Sequence, residues 1–340
     1  MATTFKTLTS NDVVSTRSML HESIPVTGTI ISGTYTGNIR NYPHGMFQSI
    51  YDYPYLSSSA NHIFDLTAGY AATSSLSAST SIQNAKKINI YNELSQILVG
   101  YDDTGKIRRF DEDGDLTQGT KNEETFFINL ARLLTKDEIK KGSFTLTLGV
   151  NSSSATPFRR RVTVKDALGD SNYKVNSPAG EYGLLYISNS SGVAGNDGRP
   201  LNGITGSTQQ AAGLLYYQAG IAVLSASVFG SLLSSSCKMR AGSQTHTTVS
   251  ALLTGSSISG ACDAFRARID NVSFNNTTEL NSTVYFCRAN HNEFNYSANP
   301  TYLSASKLVV KNQATDSPVS YVTAVGLYSP DNELLAVAKL

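Results

Sequence analysis

The stretch EETFFINLARLLTKDEIKKGSFTLTLGV, residues 123–150, carries two hydrophobic periods side by side. In its first half, apolar residues stand at 126, 127, 130, 133 and 134. That is the spacing of one helical face, and it predicts a helix over 123–134. TKDEIKKG then reads as a capping box, in which Thr135 accepts from the amide three residues on and Glu138 reaches back. Lys140 and Lys141 suit the negative end of such a helix, and Gly142 suits its stop. In the second half Phe144, Leu146 and Leu148 alternate with polar residues, as in a half-buried strand.

Outward from this stretch the chain is mostly strand-like. FRRRVTVK (158–165), YGLLYIS (182–188), GLLYYQ (213–218), IAVLSASVF (221–229) and TVYFCRA (283–289) all read as strands, and VTGTIISGTYTGNI (26–39) as short strands joined by glycine turns. ISGACDAFRARI (258–269) is expected to be a helix with Cys262, Phe265 and Ile269 inward. Two hairpins are expected. SQILVGY and KIRRF flank DDTG in 95–110, and VSYVTAVGLY and ELLAVAKL flank SPDN in 319–340, where Pro330 stands where a type I turn wants proline. The sequence stops in the last of these strands, so either a neighbour pairs it or the natural chain continues. The expected fold class is α+β and strand-rich, with antiparallel, sandwich-like sheets and a few short helices. Residues 1–70 read as an extended arm and 71–340 as the body, with room for a division near 190–210, where NSSGVAGNDGRPLNG (189–203) forms a loop.

The chain has 340 residues, of which 16% are charged, and its formal net charge is +1. Charge is thus scarce against the roughly 25% of ordinary soluble proteins, which fits a surface covered by partners. A balance near neutrality argues against a nucleic-acid footprint. No stretch is apolar for long enough to span a bilayer, and no signal peptide stands at the start. The three cysteines, Cys237, Cys262 and Cys287, have neither disulfide-framework nor zinc spacing, and free thiols suit a reducing cytosol.

In YDYPYLSSS, alternation sets Tyr51, Tyr53 and Tyr55 on one side of an extended segment, and Pro54 makes that segment an arm or an edge. Two readings stand: an interface with a partner, or packing on this same chain. Arg159, Arg160 and Arg161 offer possible contacts, of which Arg159 and Arg161 are taken as interface candidates; the plainer reading is a solvated strand or a subunit salt bridge.

Reaction machinery is missing. His21-Glu22 begins like a zinc-protease helix, but Pro25 stands where the second histidine is needed. GSSISG (255–260) lacks the closing glycine of a nucleophile elbow, and GVAGNDG (192–198) has the wrong spacing for a dinucleotide loop. DEDGD (111–115) departs from a calcium loop, with Gly114 fourth and no glutamate twelfth, and reads as an acidic turn. In NHNEFNYSANPTY (290–302), His291 and Glu293 lack further local ligands, and the segment reads as polar connector. No catalytic residue, metal or cofactor is expected.

Four blocks carry a family resemblance: STRSMLHESIPVTGTIISGTY (15–35), FFINLARLLTKDEIKKGSF (126–144), VYFCRANHNEFNYSANPTYL (284–303) and SPVSYVTAVGLYSPDNELLAVAKL (317–340). Together they resemble a virion structural protein of large contractile-tailed bacteriophages, notably those of marine cyanobacteria. In such proteins the final strand continues further, a point at which this sequence departs from the pattern. The resemblance implies a non-enzymatic particle component of the tail or baseplate, assembled in the host cytoplasm, whose partners are its own copies and other virion proteins. Alternatives are a head or neck structural protein and a receptor- or glycan-binding module associated with a fibre. A hydrolase that opens the envelope would need a suitably spaced carboxylate pair.

Overall fold

The computed structural model describes residues 6–26, 36–116, 118–188, 209–230, 237–288, 303–304, 307–308 and 322–340. The connector at 290–302 with His291 and Glu293, the loop at 189–203, most of the glycine-turn segment 26–39 and the first residues of the last expected hairpin lie outside them.

The fold is α+β and strand-rich, as expected. Its main sheet holds β1 (Val13–Val26), β2 (Ile39–Asn41), β3 (Gln48–Tyr51), β4 (His62–Tyr70), β5 (Glu124–Leu130), β6 (Glu138–Ile139), β7 (Thr145–Gly149), β8 (Arg161–Lys165), β9 (Tyr182–Ser188), β10 (Gln209–Tyr216), β11 (Ile221–Ser225) and β14 (Ile269–Tyr285). The order is β1-β14-β7-β8-β9-β10-β11-β5-β4-β3-β2, with β6 also on β14. Every ladder with a defined register in this sheet is antiparallel. Among the described residues, three two-stranded ladders lie outside this sheet: β12 (Met239–Ala241) with β13 (Gln244–His246), β15 (Leu303–Ser304) with β16 (Lys307–Leu308), and β17 (Ala324–Tyr328) with β18 (Leu334–Lys339). The helices are α1 (Asn84–Leu98), α2 (Arg132–Thr135), α3 (Val249–Gly255) and α4 (Ile258–Arg266), beside short 3-10 turns.

Residues 124–130 form a central strand, β5, and not the expected helix. The reason is burial on both faces. Phe126 stacks on Phe265 of α4 with ring centroids 4.6 Å apart. Phe127, on the opposite face, lies 5.7 Å from Phe110, whose ring meets the edge of Tyr91 on α1. A strand covered on both sides reads as a continuous apolar run, and a few polar interruptions then imitate helical spacing. The expected capping box is also absent. The backbone of Lys136 is left-handed after the single turn of α2, and Glu138 and Ile139 pair with Thr277 and Asn276 of β14. Burying Ile139 in the sheet outweighs a local cap.

The strand at 143–150 is present as β7. α4 buries Cys262 and Phe265 as expected, while Ile269 is buried from the start of β14 instead of from the helix. DDTG does form a turn closed by the Tyr101–Ile107 bridge, but residues 95–98 before it are the last turn of α1. That helix begins without a side-chain cap, after Gln83 in left-handed backbone, and buries Lys87. Gly69 of β4 lets it approach: a Cβ there would fall 2.7 Å from the Lys87 carbonyl oxygen.

The chain divides into two compact units, Met1–Ser18 with Leu280–Leu340, and Met19–Glu279. The boundary is not at residue 70, because β2, β3 and β4 are consecutive members of the main sheet. Among the described residues, the buried hydrophobic residues of the core all belong to the larger unit.

Candidate functional site

The described residues of the smaller unit form strands but enclose no hydrophobic interior. Among its described residues only Asp12 is buried. Ser15 and Thr16 of β1 hydrogen-bond Thr283 and Ser282 of β14 at 3.2 and 2.6 Å. Asp12 ties the two segments together, accepting from Arg288 through its carboxylate and from the Phe286 amide through its carbonyl. The hydroxyl and amide of Thr9, with Arg288 behind them, hold the Asp12 carboxyl down at about 2. Around these polar links Val14, Leu280, Val284, Tyr285 and Phe286 are exposed. In the β17–β18 hairpin Tyr328, Leu334, Leu335 and Val337 are exposed as well. Its turn is the expected one: the Asn332 amide donates to the Ser329 carbonyl at 3.0 Å, with Pro330 between them. Two-stranded ladders with apolar side chains and no core beneath are marginal in water.

The larger unit carries an aromatic surface around β2 and β3. Tyr42 stacks on His44 at 5.1 Å and packs on Phe47 at 4.8 Å, and the Arg40 guanidinium lies 4.7 Å from the Tyr42 ring centre. Tyr51, half-buried at the end of β3, contacts Tyr55 and His62. The three tyrosines do not line one extended segment, because the chain bends after Tyr51 and the Tyr55 amide donates to the Gly37 carbonyl. Tyr51 and Tyr55 thus pack together on this chain, while Tyr53 is the more exposed. Arrangement by a turn at Pro54 is a signal that alternation alone does not carry.

Ser49, Asp65 and His62 meet here, but in the wrong order for a nucleophile. Asp65 Oδ1 accepts from Ser49 Oγ at 2.5 Å and lies 2.8 Å from His62 Nε2. The carboxylate stands between the other two, so in this arrangement the histidine is not placed to take the serine proton, which a relay requires. His21, on β1, has Thr277 Oγ1 3.2 Å from its Nδ1.

Arg159 and Arg161 are exposed, flanking the buried Arg160. Arg161 Nε pairs with Asp270 Oδ2 of the same chain at 2.9 Å. Sequence reading did not find that Arg160 and Arg268 are buried. Arg268 donates to the carbonyls of Gly149, Asn151 and Lys238, fastening β7 to the segment before β12.

Asp111, Asp113 and Asp115 gather their carboxylates within 4.8 Å of one another. Lys121 Nζ takes Asp111 Oδ1 at 3.0 Å, and the Leu116 amide takes Oδ2. Burial pushes the Asp111 carboxyl up, against the pull of Lys121. The loop is an acidic turn closed by the Asp111–Lys121 bridge.

Asp166 is buried, with Oδ2 accepting from Tyr217 Oη at 2.9 Å and from the Gly142 amide at 2.8 Å. Burial raises both groups above their usual ranges. A Cβ on Gly183 would fall 2.0 Å from Tyr217 Oη, so the pair is sealed against backbone and holds strand ends together. A cavity of about 380 Å³ is lined by Leu76, Glu124, Ser227, Val249 and Leu253, among others. Its carboxylate, Glu124, is already engaged by Ser74 Oγ. No described helix is long and apolar enough to cross a membrane.

No protein-family model matches this chain, and no curated protein or solved structure matches it.

Proposed function

We propose that this protein is a non-enzymatic structural subunit of a bacteriophage virion, belonging to the tail or baseplate, and that it acts by assembling with its own copies and with other virion proteins. The observation that supports assembly is the smaller unit: among its described residues Val14, Val284, Phe286, Leu335 and Val337 lie in the open, and none joins the hydrophobic core. Such side chains gain most when a neighbour covers them, at about 25 cal/mol per Å² removed from water. Obligate interfaces of this kind bury on the order of 2,000 Å² or more. The virion, and the tail or baseplate within it, rest on the resemblance of the four sequence blocks. No nucleic acid, membrane insertion or cofactor enters this reading.

The test is the sedimentation behaviour of the purified full chain over a range of micromolar concentrations, with a search for the chain in isolated particles. Self-association and recovery in particles are expected. A monomer at every concentration that no particle contains would refute the proposal.

A second reading, a glycan-binding module, is favoured by the Arg40–Tyr42–His44–Phe47 surface, since aromatic faces and a guanidinium suit sugar rings and hydroxyls. Binding of the chain to host cells, lost in Tyr42→Ala, would support it.

A further inference from the structure

Arg40, His44 and Lys86 are exposed hydrogen-bond donors at one surface, and among the described residues none of them has a carboxylate partner. The Arg40 guanidinium lies 4.7 Å from the ring centre of Tyr42 and 5.9 Å from that of Tyr55. Two rings against one guanidinium restrict its rotamers, so its planar fork is set before a ligand arrives. Lys86, at the start of α1, gives one hydrogen to the His44 carbonyl at 2.9 Å and keeps the others. His44 stands in the turn Tyr42-Pro43-His44-Gly45, closed by the Gly45 amide on the Tyr42 carbonyl at 2.9 Å. Its Nδ1 accepts from the Met46 amide at 3.1 Å, which leaves Nε2 to carry the proton.

Asp52 and Asp65, in the same region, already have partners. Asp52 accepts from the Tyr53 amide and from both the amide and the side chain of Asn61. Asp65 Oδ1 is held by Ser49 and His62. The three donors therefore suit an acceptor that comes from outside, and their charge favours an anion. That anion must be sparsely charged. Arg40 pairs with Ser49 across β2 and β3, and Ser49 with Asp65 across β3 and β4, so the three side chains share one face. Asp65 then stands two strands from Arg40, about 10 Å away. A ligand that offers a carboxylate to Arg40 and a neutral hydroxyl to Asp65 fits this row. One with a negative charge at every step sets an anion against Asp65. The exposed rings of His44 and Tyr55 beside these groups suit the faces of sugars.

We propose that this surface binds a glycan whose uronate residues are separated by neutral sugars. The uronate carboxylate lies on Arg40, and Lys86 and His44 Nε2 donate to oxygens beside it. This inference rests on the glycan-binding reading above and adds to it the class of sugar.

The test is isothermal titration of the full chain with three hexasaccharides. Hyaluronan alternates uronate with N-acetylhexosamine, chitohexaose has N-acetylhexosamine alone, and heparin is densely sulfated. Hyaluronan is expected to bind about tenfold or more tightly than either of the others. Arg40→Gln is expected to weaken hyaluronan binding by about tenfold and Lys86→Gln by about threefold, with thermal midpoints unchanged because both side chains are exposed. If chitohexaose binds as tightly as hyaluronan, or if neither variant weakens hyaluronan binding, the carboxylate contact is wrong while the glycan-binding reading stands. If heparin binds as tightly or more so, dense charge is what the surface accepts, and the uronate assignment is wrong. If none of the three binds, this inference and the glycan-binding reading both fall.

Discussion

Lys87 Nζ, on α1, lies 2.7 Å from the carbonyl oxygen of Ser256, just past the end of α3. The same ammonium donates to the carbonyls of Leu253 at 2.5 Å and Ile82 at 2.8 Å. It is fully buried, and its hydrogen-bond acceptors among the described residues are all backbone carbonyls. The group works as a three-pronged cap that fastens α1 to the carbonyl end of α3, where the helix dipole favours a cation.

Removing that cap leaves carbonyls without donors. Lys87→Met is expected to lose on the order of 2–3 kcal/mol of stability, read by urea denaturation at neutral pH. Burial lowers the Lys87 pKa from 10.5 to about 8. Between those values the unfolded chain binds the proton and the folded chain does not, so this group makes stability rise with pH from about 8 to about 10.5. Comparing the original chain with Lys87→Met at pH 7.5 and 9.5 isolates that slope. Identical pH dependence in the two proteins would show that the lysine is not buried as described.

Gly183 and Tyr217 should be coupled. A Cβ at 183 would fall 2.0 Å from Tyr217 Oη and 2.7 Å from Asp166 Oδ1. Gly183→Ala is expected to cost roughly 1–3 kcal/mol through overpacking. Tyr217→Phe removes the nearest clashing atom but also a donor to Asp166. The double variant should therefore lose less than the sum of the two singles, and a double-mutant cycle on denaturation midpoints measures the difference. Strict additivity would count against the contact.

Phe126 is stacked on Phe265 and meets Phe229 edge-on, joining β5 to α4 and to the turn after β11. Phe126→Ala is expected to cost about 3–5 kcal/mol, with both transfer and cavity contributions. Thermal or chemical unfolding reads it directly. A loss below ~1 kcal/mol would mean that residues 124–130 are not a central strand.

The thiols should separate by burial. Cys237 and Cys262 are buried, and burial pushes the Cys237 thiol up to about 11 and the Cys262 thiol higher, whereas Cys287 is exposed. Maleimide at neutral pH is expected to label Cys287 alone in the folded protein and all three after denaturation, as read by mass spectrometry. Rapid native labelling of Cys262 would contradict the packing of α4 against β4, where its Sγ donates to the Leu66 carbonyl at 3.3 Å.

What the sequence by itself determined is the material that local period and turn chemistry encode. β7 shows as Phe144, Leu146 and Leu148 in alternation, and the β17–β18 hairpin as two apolar runs around SPDN. The inward face of α4 shows as Cys262 and Phe265. Each of these has a pattern matched to one face or one turn, so neighbouring residues suffice to define it.

Only the tertiary structure decided the rest. Whether 124–130 is helix or strand depends on α1 and α4 covering both faces of it, and those residues are distant in sequence. α1 itself was hidden because a lysine occupies one of its core positions, tolerable only where three carbonyls converge. The tyrosines at 51 and 55 meet through a turn, and Arg160 and Arg268 are buried by the sheet around them. Burial is a property of the assembled fold, and a short segment cannot state which of its faces will be covered or by what.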